Sequence, residues 1–392
     1  MIVSSFAAGG PARVSRRLPG LDLLRAWAIC WVLIYHASLF GFVSGGHRIV
    51  AFGWMGVDLF FALSGFLIAG QLLRPWAQGV RPDYGRFFLR RMLRTLPAYL
   101  AVVAIYFLLP VLGEWPAIQP LWQFLSFTEN LFIDFSVPKA FSHVWSLCVE
   151  EQFYLAFPIV VALLTRRPSA RKVVLVALAV LLAGMALRGA IWLHDLAPLQ
   201  KDDRFSQVYL ERIYYPTWTR LDDLLAGVAA ATVQAFRPRV WGVLTSRPNI
   251  LFAGGVAGVI LSMLFFGGQA AGLAPATFAY PLLALSMAML VVAGSNSRSI
   301  IGRIPVPGAG ALAAGAYSLY LSHKLVFGLV RDSGLTGKSL QLAVALVGAL
   351  VVGAALYWLV ERPFLRLRDR LDRRQYGRII PLSSIATVSA QA

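Results

Sequence analysis

Residues 21–42 read Leu21-Asp-Leu-Leu-Arg25-Ala-Trp-Ala-Ile-Cys-Trp-Val-Leu-Ile-Tyr-His36-Ala-Ser-Leu-Phe-Gly-Phe42. The run is apolar over a length that, as an α-helix, crosses the roughly 30 Å hydrocarbon core of a bilayer. Arg25 and His36 interrupt it. At about 100° per residue the eleven steps between them return His36 to within about 20° of Arg25, roughly 16 Å further along the axis. A membrane helix carrying two ionisable groups on one face reads as part of a functional pathway. A cation at one depth and a base at another suit a site that holds an anion at one end and moves a proton at the other.

Working outward, similar apolar runs recur along the 392 residues, 58% of which are hydrophobic and 14% charged. The pattern predicts an all-α polytopic membrane protein of about ten transmembrane helices, near 20–42, 52–73, 95–113, 143–164, 173–193, 216–236, 250–267, 275–294, 311–330 and 340–361. The basic start leads into a span too long, and too charged at Asp22 and Arg25, for a cleavable signal peptide. Residues 1–17 read as a cytoplasmic basic tail, 18–365 as one transmembrane domain, and 366–392 as a basic, then disordered, cytoplasmic tail, with no soluble domain appended.

The net charge of +18 is a matter of topology and not of nucleic-acid binding. With the ten spans above, 25 of the 36 Lys and Arg fall on one side, in both tails and alternate loops. By the positive-inside rule that side is cytoplasmic, and both termini lie there. The apolar segment 121–135, broken by Glu129 and Asn130, would reverse the placement of Arg166–Lys172 if it crossed, so it reads as interfacial or re-entrant. Cys30 and Cys148 lack metal-type or CxxC spacing and read as buried, inert thiols; no metal site is expected.

The first two spans form a hairpin about His47, with His36 and Asp58 equidistant from it. Equal distance from the turn predicts similar depth, with Asp58 orienting His36 as a general base or simply bonding two helices together. The fourth span opens His143-Val-Trp-Ser-Leu-Cys-Val-Glu150-Glu151-Gln152. Its adjacent carboxylates point about 100° apart; Glu150 is expected to face the interior cavity and Glu151 a neighbouring helix. Arg220, Asp222 and Asp223 open the sixth span, and His323 and Lys324 lie in the ninth. On the cytoplasmic side Arg86, Arg90, Arg91 and Arg94 lead into the third span, with Pro97 in its first turn. Their three- and four-residue spacing can present several guanidiniums on one helical face, suited either to phosphate groups or to anionic lipid.

Taken in order, Arg25-x10-His36, Gly56-Val-Asp58-Leu-Phe-Phe-Ala-Leu-Ser64-Gly65-Phe66, Arg86-Phe-Phe-Leu-Arg90-Arg91-Met-Leu-Arg94, Trp145-Ser-Leu-Cys-Val-Glu150-Glu151-Gln-Phe-Tyr154, Tyr317-Ser-Leu-Tyr320-Leu-Ser-His323 and Glu361-Arg-Pro363 resemble the acyltransferase 3 family. These are membrane-bound O-acyltransferases of bacterial surface glycans and some secondary metabolites. The resemblance covers residues 18–365. It implies a ten-helix fold, acyl-CoA (commonly acetyl-CoA) as cytoplasmic co-substrate, and a hydroxyl of a sugar or natural product as acceptor. On that pattern His36 is the catalytic histidine, Arg25 its partner along the donor conduit, and the arginines of 86–94 belong to the coenzyme side. This chain departs from the family in flanking His323 with Ser322 and Lys324.

The expectation is therefore an enzyme of the bacterial inner membrane moving an acyl group from acyl-CoA to a hydroxyl of a surface polysaccharide, lipopolysaccharide or other glycan. His36, Asp58, Glu150 and Arg25 form the catalytic set, Arg86, Arg90, Arg91 and Arg94 the cofactor-binding set, and Glu151, Arg220, Asp222 and His323 the substrate-binding set. Membrane lipid and the acceptor glycan are the partners. The rival readings are a transporter or flippase of a lipid-linked sugar, or an acyltransferase acting on a lipid or macrolide.

Overall fold

The computed structural model describes residues 18–43, 46–166, 169–268 and 272–379; the expected N-terminal tail, 1–17, and the last part of the C-terminal one, 380–392, lie outside them. The long helices are α1 (Pro19–Leu39), α2 (Met55–Ala77), α3 (Tyr84–Leu108), α4 (Trp145–Arg166), α5 (Ala170–Ile191), α6 (Asp222–Phe236), α7 (Pro248–Gly268), α8 (Tyr280–Gly294), α9 (Ala309–Asp332), α10 (Lys338–Leu356) and α11 (Arg362–Ile379). Helix is what a long apolar run must form in lipid, because only a helix satisfies every backbone group within the segment. Among the described residues, eight helices are long and apolar enough to cross a membrane. The chain is a multi-pass membrane protein. A helix occupies each of the ten expected segments, but α6, at 15 residues, is short, and α9 is not among the eight.

Burial separates centre from rim. In α2, 78% of the apolar window is buried against other helices; in α5, α7 and α10 only 17% is. Those rim helices turn Leu175, Leu178, Leu182, Ile260, Leu264, Val347 and Val351 outward. Such a belt has no counterpart on a protein surrounded by water and is what acyl chains cover. Cys30 belongs to this outward surface, on the far side of α1 from the core, so only Cys148 is the buried thiol expected.

α2 packs closely on α6, and α1 on both α2 and α9. The α2–α6 crossing needs glycine on both helices. A Cβ at Gly65 would strike the Leu224 carbonyl, and one at Gly227 the Ala62 carbonyl. Small residues let helix backbones approach where lipid supplies no hydrophobic drive.

Three boundaries differ from the sequence reading. α3 starts at Tyr84, where Asp83 caps it by accepting from the Arg86 backbone N–H at 2.9 Å. The arginines of 86–94 therefore sit on the helix, and Pro97 lies in its interior and not its first turn. α6 begins at Asp222 and not 216, because Pro216 and a 3₁₀ turn over Thr217–Thr219 precede it. Beyond α10 the chain stays helical, through a π turn at Tyr357–Glu361 into α11, so 366–379 is ordered helix. Segment 121–135 forms no continuous helix. It folds inward through a helical turn at Leu121–Leu125 and a 3₁₀ turn at Glu129–Leu131. Asn130 donates there to the Tyr215 carbonyl at 3.1 Å, and Gln152 to the Phe127 carbonyl at 2.6 Å.

Candidate active site

A cavity of about 280 Å³ lies among α1, α2, α3, α4 and α9. The helix directions order its lining. Arg25 from early α1, Gln71 from late α2, Arg91 and Arg94 from early α3, and Ala313 from early α9 form one end. Val57 from early α2, Ser146 from early α4 and Tyr320 from mid-α9 form the other. Between them stand Ser64, Glu150 and Tyr154. Tyr154 donates to Glu150 Oε2 at 2.8 Å and is hydrogen-bonded to Ser64. The Arg91 guanidinium lies 3.8 Å from the centre of the Tyr154 ring. The arginine end is thus a cationic chamber with a single aromatic–carboxylate wall, a geometry that accepts anionic or strongly polar groups.

Glu150 faces this cavity, and Glu151 lines a separate one between α3 and α4 with Arg91 and Gln152, as the offset between neighbouring helix positions requires. Of the four arginines of α3, only Arg91 and Arg94 reach the main cavity. Arg86 and Arg90 turn to Asp372 of α11, at 2.9 and 2.8 Å. The four-residue spacing of 86, 90 and 94 does align them, but the cavity spans only the last turn of that stripe, and α11 covers the first two.

Beyond Tyr320 and Ser146 lies a buried cluster of histidines. His36 Nδ1 is 2.8 Å from His323 Nε2, and their rings stack with centres 4.9 Å apart. His143 stands edge-on to both, at 6.2 and 5.0 Å. The Tyr320 hydroxyl donates to the His143 carbonyl and is bonded to Ser146 Oγ, each at 2.7 Å. The cavity's inner wall is therefore joined directly to the cluster. Lys324, also buried, donates to Ser142 Oγ at 3.4 Å. His143, Lys324, Tyr320 and Tyr154 were not singled out as site residues in the sequence. The signal was present in two of the ordered motifs, where Tyr154 and Tyr320 stand close to Glu150 and His323.

Asp58 does not orient His36. It bonds Arg220 Nη2 at 2.5 Å, with both side chains fully buried. Arg220 is boxed by the rings of Trp145, Tyr214 and Tyr280, at 5.2, 4.5 and 4.8 Å. Equal distance from a turn fixes depth but not direction around the helix axis. Asp58 points from α2 to the start of α6, where the glycine crossing brings it, whereas His36 points from α1 to α9. Asp222 is likewise engaged elsewhere, in a bidentate pair with buried Arg188 at 2.7 and 3.0 Å. Neither Arg220 nor Asp222 lines the cavity; both brace the helices around it.

A family described as "Acyltransferase domain" matches residues 18–358, nearly the whole described chain. The peptidoglycan O-acetyltransferase OatA of Listeria monocytogenes is 29% identical over 267 residues, covering 64% of this chain and 40% of that protein. The O-acetyltransferase OatA of Staphylococcus aureus is 30% identical over 231 residues, 56% of this chain and 35% of that one. The putative peptidoglycan O-acetyltransferase YrhL of Bacillus subtilis is 34% identical over 235 residues, 56% of this chain and 33% of that one. This chain thus spans two fifths or less of the length of these relatives. No solved structure matches it.

Proposed function

This chain belongs to the acyltransferase 3 family, and from that premise we propose that it is an integral membrane O-acyltransferase carrying an acyl group, in the simplest case acetyl, from acyl-CoA to a glycan hydroxyl. The observation that carries the reading is the cavity's polarity. Three guanidiniums, Arg25, Arg91 and Arg94, line one end, and the other abuts Tyr320 and Ser146 and, through them, the histidine cluster. In this reading all ten helices α1 to α10 cross the bacterial inner membrane, with both termini and the arginine end cytoplasmic, as the distribution of Lys and Arg favours. The names of the relatives make peptidoglycan or another cell-surface sugar polymer the first acceptor to test.

The donor would enter at the arginine end, its phosphate and pantetheine groups held by Arg91, Arg94 and Arg25, and its thioester extended toward His36. His36 takes the proton of the acceptor hydroxyl as that oxygen attacks the thioester carbonyl carbon. The carbon–sulfur bond then breaks, and the proton on His36 passes to the leaving thiolate, giving an ester and free CoA. Glu150, held by Tyr154, would order polar groups of the substrates between the two ends. Arg86 and Arg90 would meet anionic lipid or the donor only by leaving Asp372.

Purified protein supplied with acetyl-CoA and a peptidoglycan or surface-glycan fragment is the test. Acceptor-dependent thiol release, absent in His36→Ala at equal expression, is the expected result. Movement of a lipid-linked sugar across vesicles without any thiol release would replace the enzyme by a transporter.

A further inference from the structure

The bond between His36 and His323 has a direction, and the direction selects which nitrogen of His36 can act as a base. His323 Nδ1 lies 2.7 Å from the carbonyl oxygen of Tyr320. A carbonyl only accepts, so this nitrogen carries the proton. In a neutral imidazole the other nitrogen is then an acceptor. His323 Nε2, 2.8 Å from His36 Nδ1, must therefore receive a proton that His36 donates. With Nδ1 protonated, neutral His36 keeps its free lone pair on Nε2.

We infer that His323 is a positioning residue that holds His36 in the Nδ1–H tautomer and fixes the plane of its ring, the task the sequence had assigned to Asp58. The inference rests on the reading of His36 as the base. It replaces a carboxylate by a neutral ring whose own tautomer is set by a backbone carbonyl one helical turn away. The supporting frame is rigid. Tyr320 is anchored to the His143 carbonyl and Ser146. Phe327 packs edge-on against the other side of His323, with ring centres 5.5 Å apart. His143 and Lys324 face the same pair, and neither forms a hydrogen bond to His36 among the described contacts.

The two roles open to His323, orienting the base or merely filling space, separate in two variants. In His323→Gln the side-chain amide reaches the place of Nε2 and its oxygen can accept from His36 Nδ1–H; in His323→Leu nothing can. If His323 orients the base, His323→Leu lowers kcat by roughly 100-fold with the KM for acetyl-CoA unchanged, and His323→Gln stays within about fivefold of the parent. Equal losses in both variants in protein that elutes as the parent does, or full kcat in His323→Leu, overturn the inference. A readout on the unaltered protein covers the case in which the variants do not fold. In ¹⁵N spectra of histidine-labelled protein, the His36 signals, identified by their loss in His36→Gln, should show Nδ1 protonated and Nε2 bare; a protonated Nε2 overturns the assignment. Full activity of His36→Gln removes the base reading and this inference with it, whereas an inactive His36→Gln beside a fully active His323→Leu removes the inference alone.

Discussion

His36 and His323 are 287 positions apart in the chain, and their ring nitrogens are 2.8 Å apart in the fold. The contact exists because α1 packs along α9, so a residue near the end of the first helix meets one in the middle of the ninth. It gives His36 a defined hydrogen-bond partner inside an apolar bundle, where a free ring would waste a buried donor or acceptor.

Replacing His36 by Ala should lower acceptor-dependent thiol release by about 100-fold or more, the ordinary contribution of a general base. The comparison requires equal membrane expression. Activity within a few-fold of the parent would remove His36 from the chemistry.

The α3 arginines should divide by where they point. Arg94→Ala and Arg91→Ala each withdraw a guanidinium from the cavity and should raise the KM for the acyl donor by roughly 10- to 150-fold, matching a charged hydrogen bond of roughly 1.5–3 kcal/mol. Arg90→Ala loses only a partly exposed pair with Asp372 and should change KM by less than about twofold. Steady-state kinetics over a range of acetyl-CoA concentrations reads the difference, and a ranking led by Arg90 would contradict the assigned cavity.

Asp58 should behave as a structural residue. Asp58→Ala removes the carboxylate that the buried Arg220 guanidinium bonds, leaving it only the neighbouring Asp223 carboxyl and the Tyr214 carbonyl, a loss of up to about 3–5 kcal/mol. The double replacement Asp58→Leu with Arg220→Leu should recover much of that loss. Thermal unfolding in detergent measures both. An Asp58→Ala protein of unchanged stability but no activity would return Asp58 to the catalytic set.

Helix approach at the α2–α6 crossing is testable by one methyl group. Gly227→Ala forces a Cβ onto the Ala62 carbonyl, overpacking that should destabilise the protein by about 1–3 kcal/mol. Gly242→Ala, with nothing within 4 Å of the added atom, should leave the melting temperature within about 2 °C of the parent. Similar melting temperatures for the two variants would show that the crossing relaxes freely.

The apolar runs, the family motifs and the two-faced Glu150–Glu151 pair were legible because each is a local property of one helix. Run length against bilayer thickness predicts where helices form, and the angle per residue predicts which side chains share a face. Arg25, Arg91, Arg94 and Glu150, chosen on those grounds, do line one cavity. The failures are all about partners. Depth alone matches Asp58 to His36, the continuing stripe groups Arg86 and Arg90 with Arg91 and Arg94, and Arg220 and Asp222 look free because their partners, Asp58 of α2 and Arg188 of α5, lie in other helices.

The sequence by itself thus determined a multi-helix membrane protein with a cation–histidine face on its first helix, since hydropathy and helical period need no knowledge of neighbours. Only the tertiary structure decided what His36 touches. A helix fixes the depth and bearing of its own side chains but not which helix stands opposite. That depends on close approaches such as Gly65 to Leu224 and Gly227 to Ala62, which are made between chain segments far apart in the sequence. Those approaches turned Asp58 toward Arg220, and the packing of α1 on α9 left His36 facing His323.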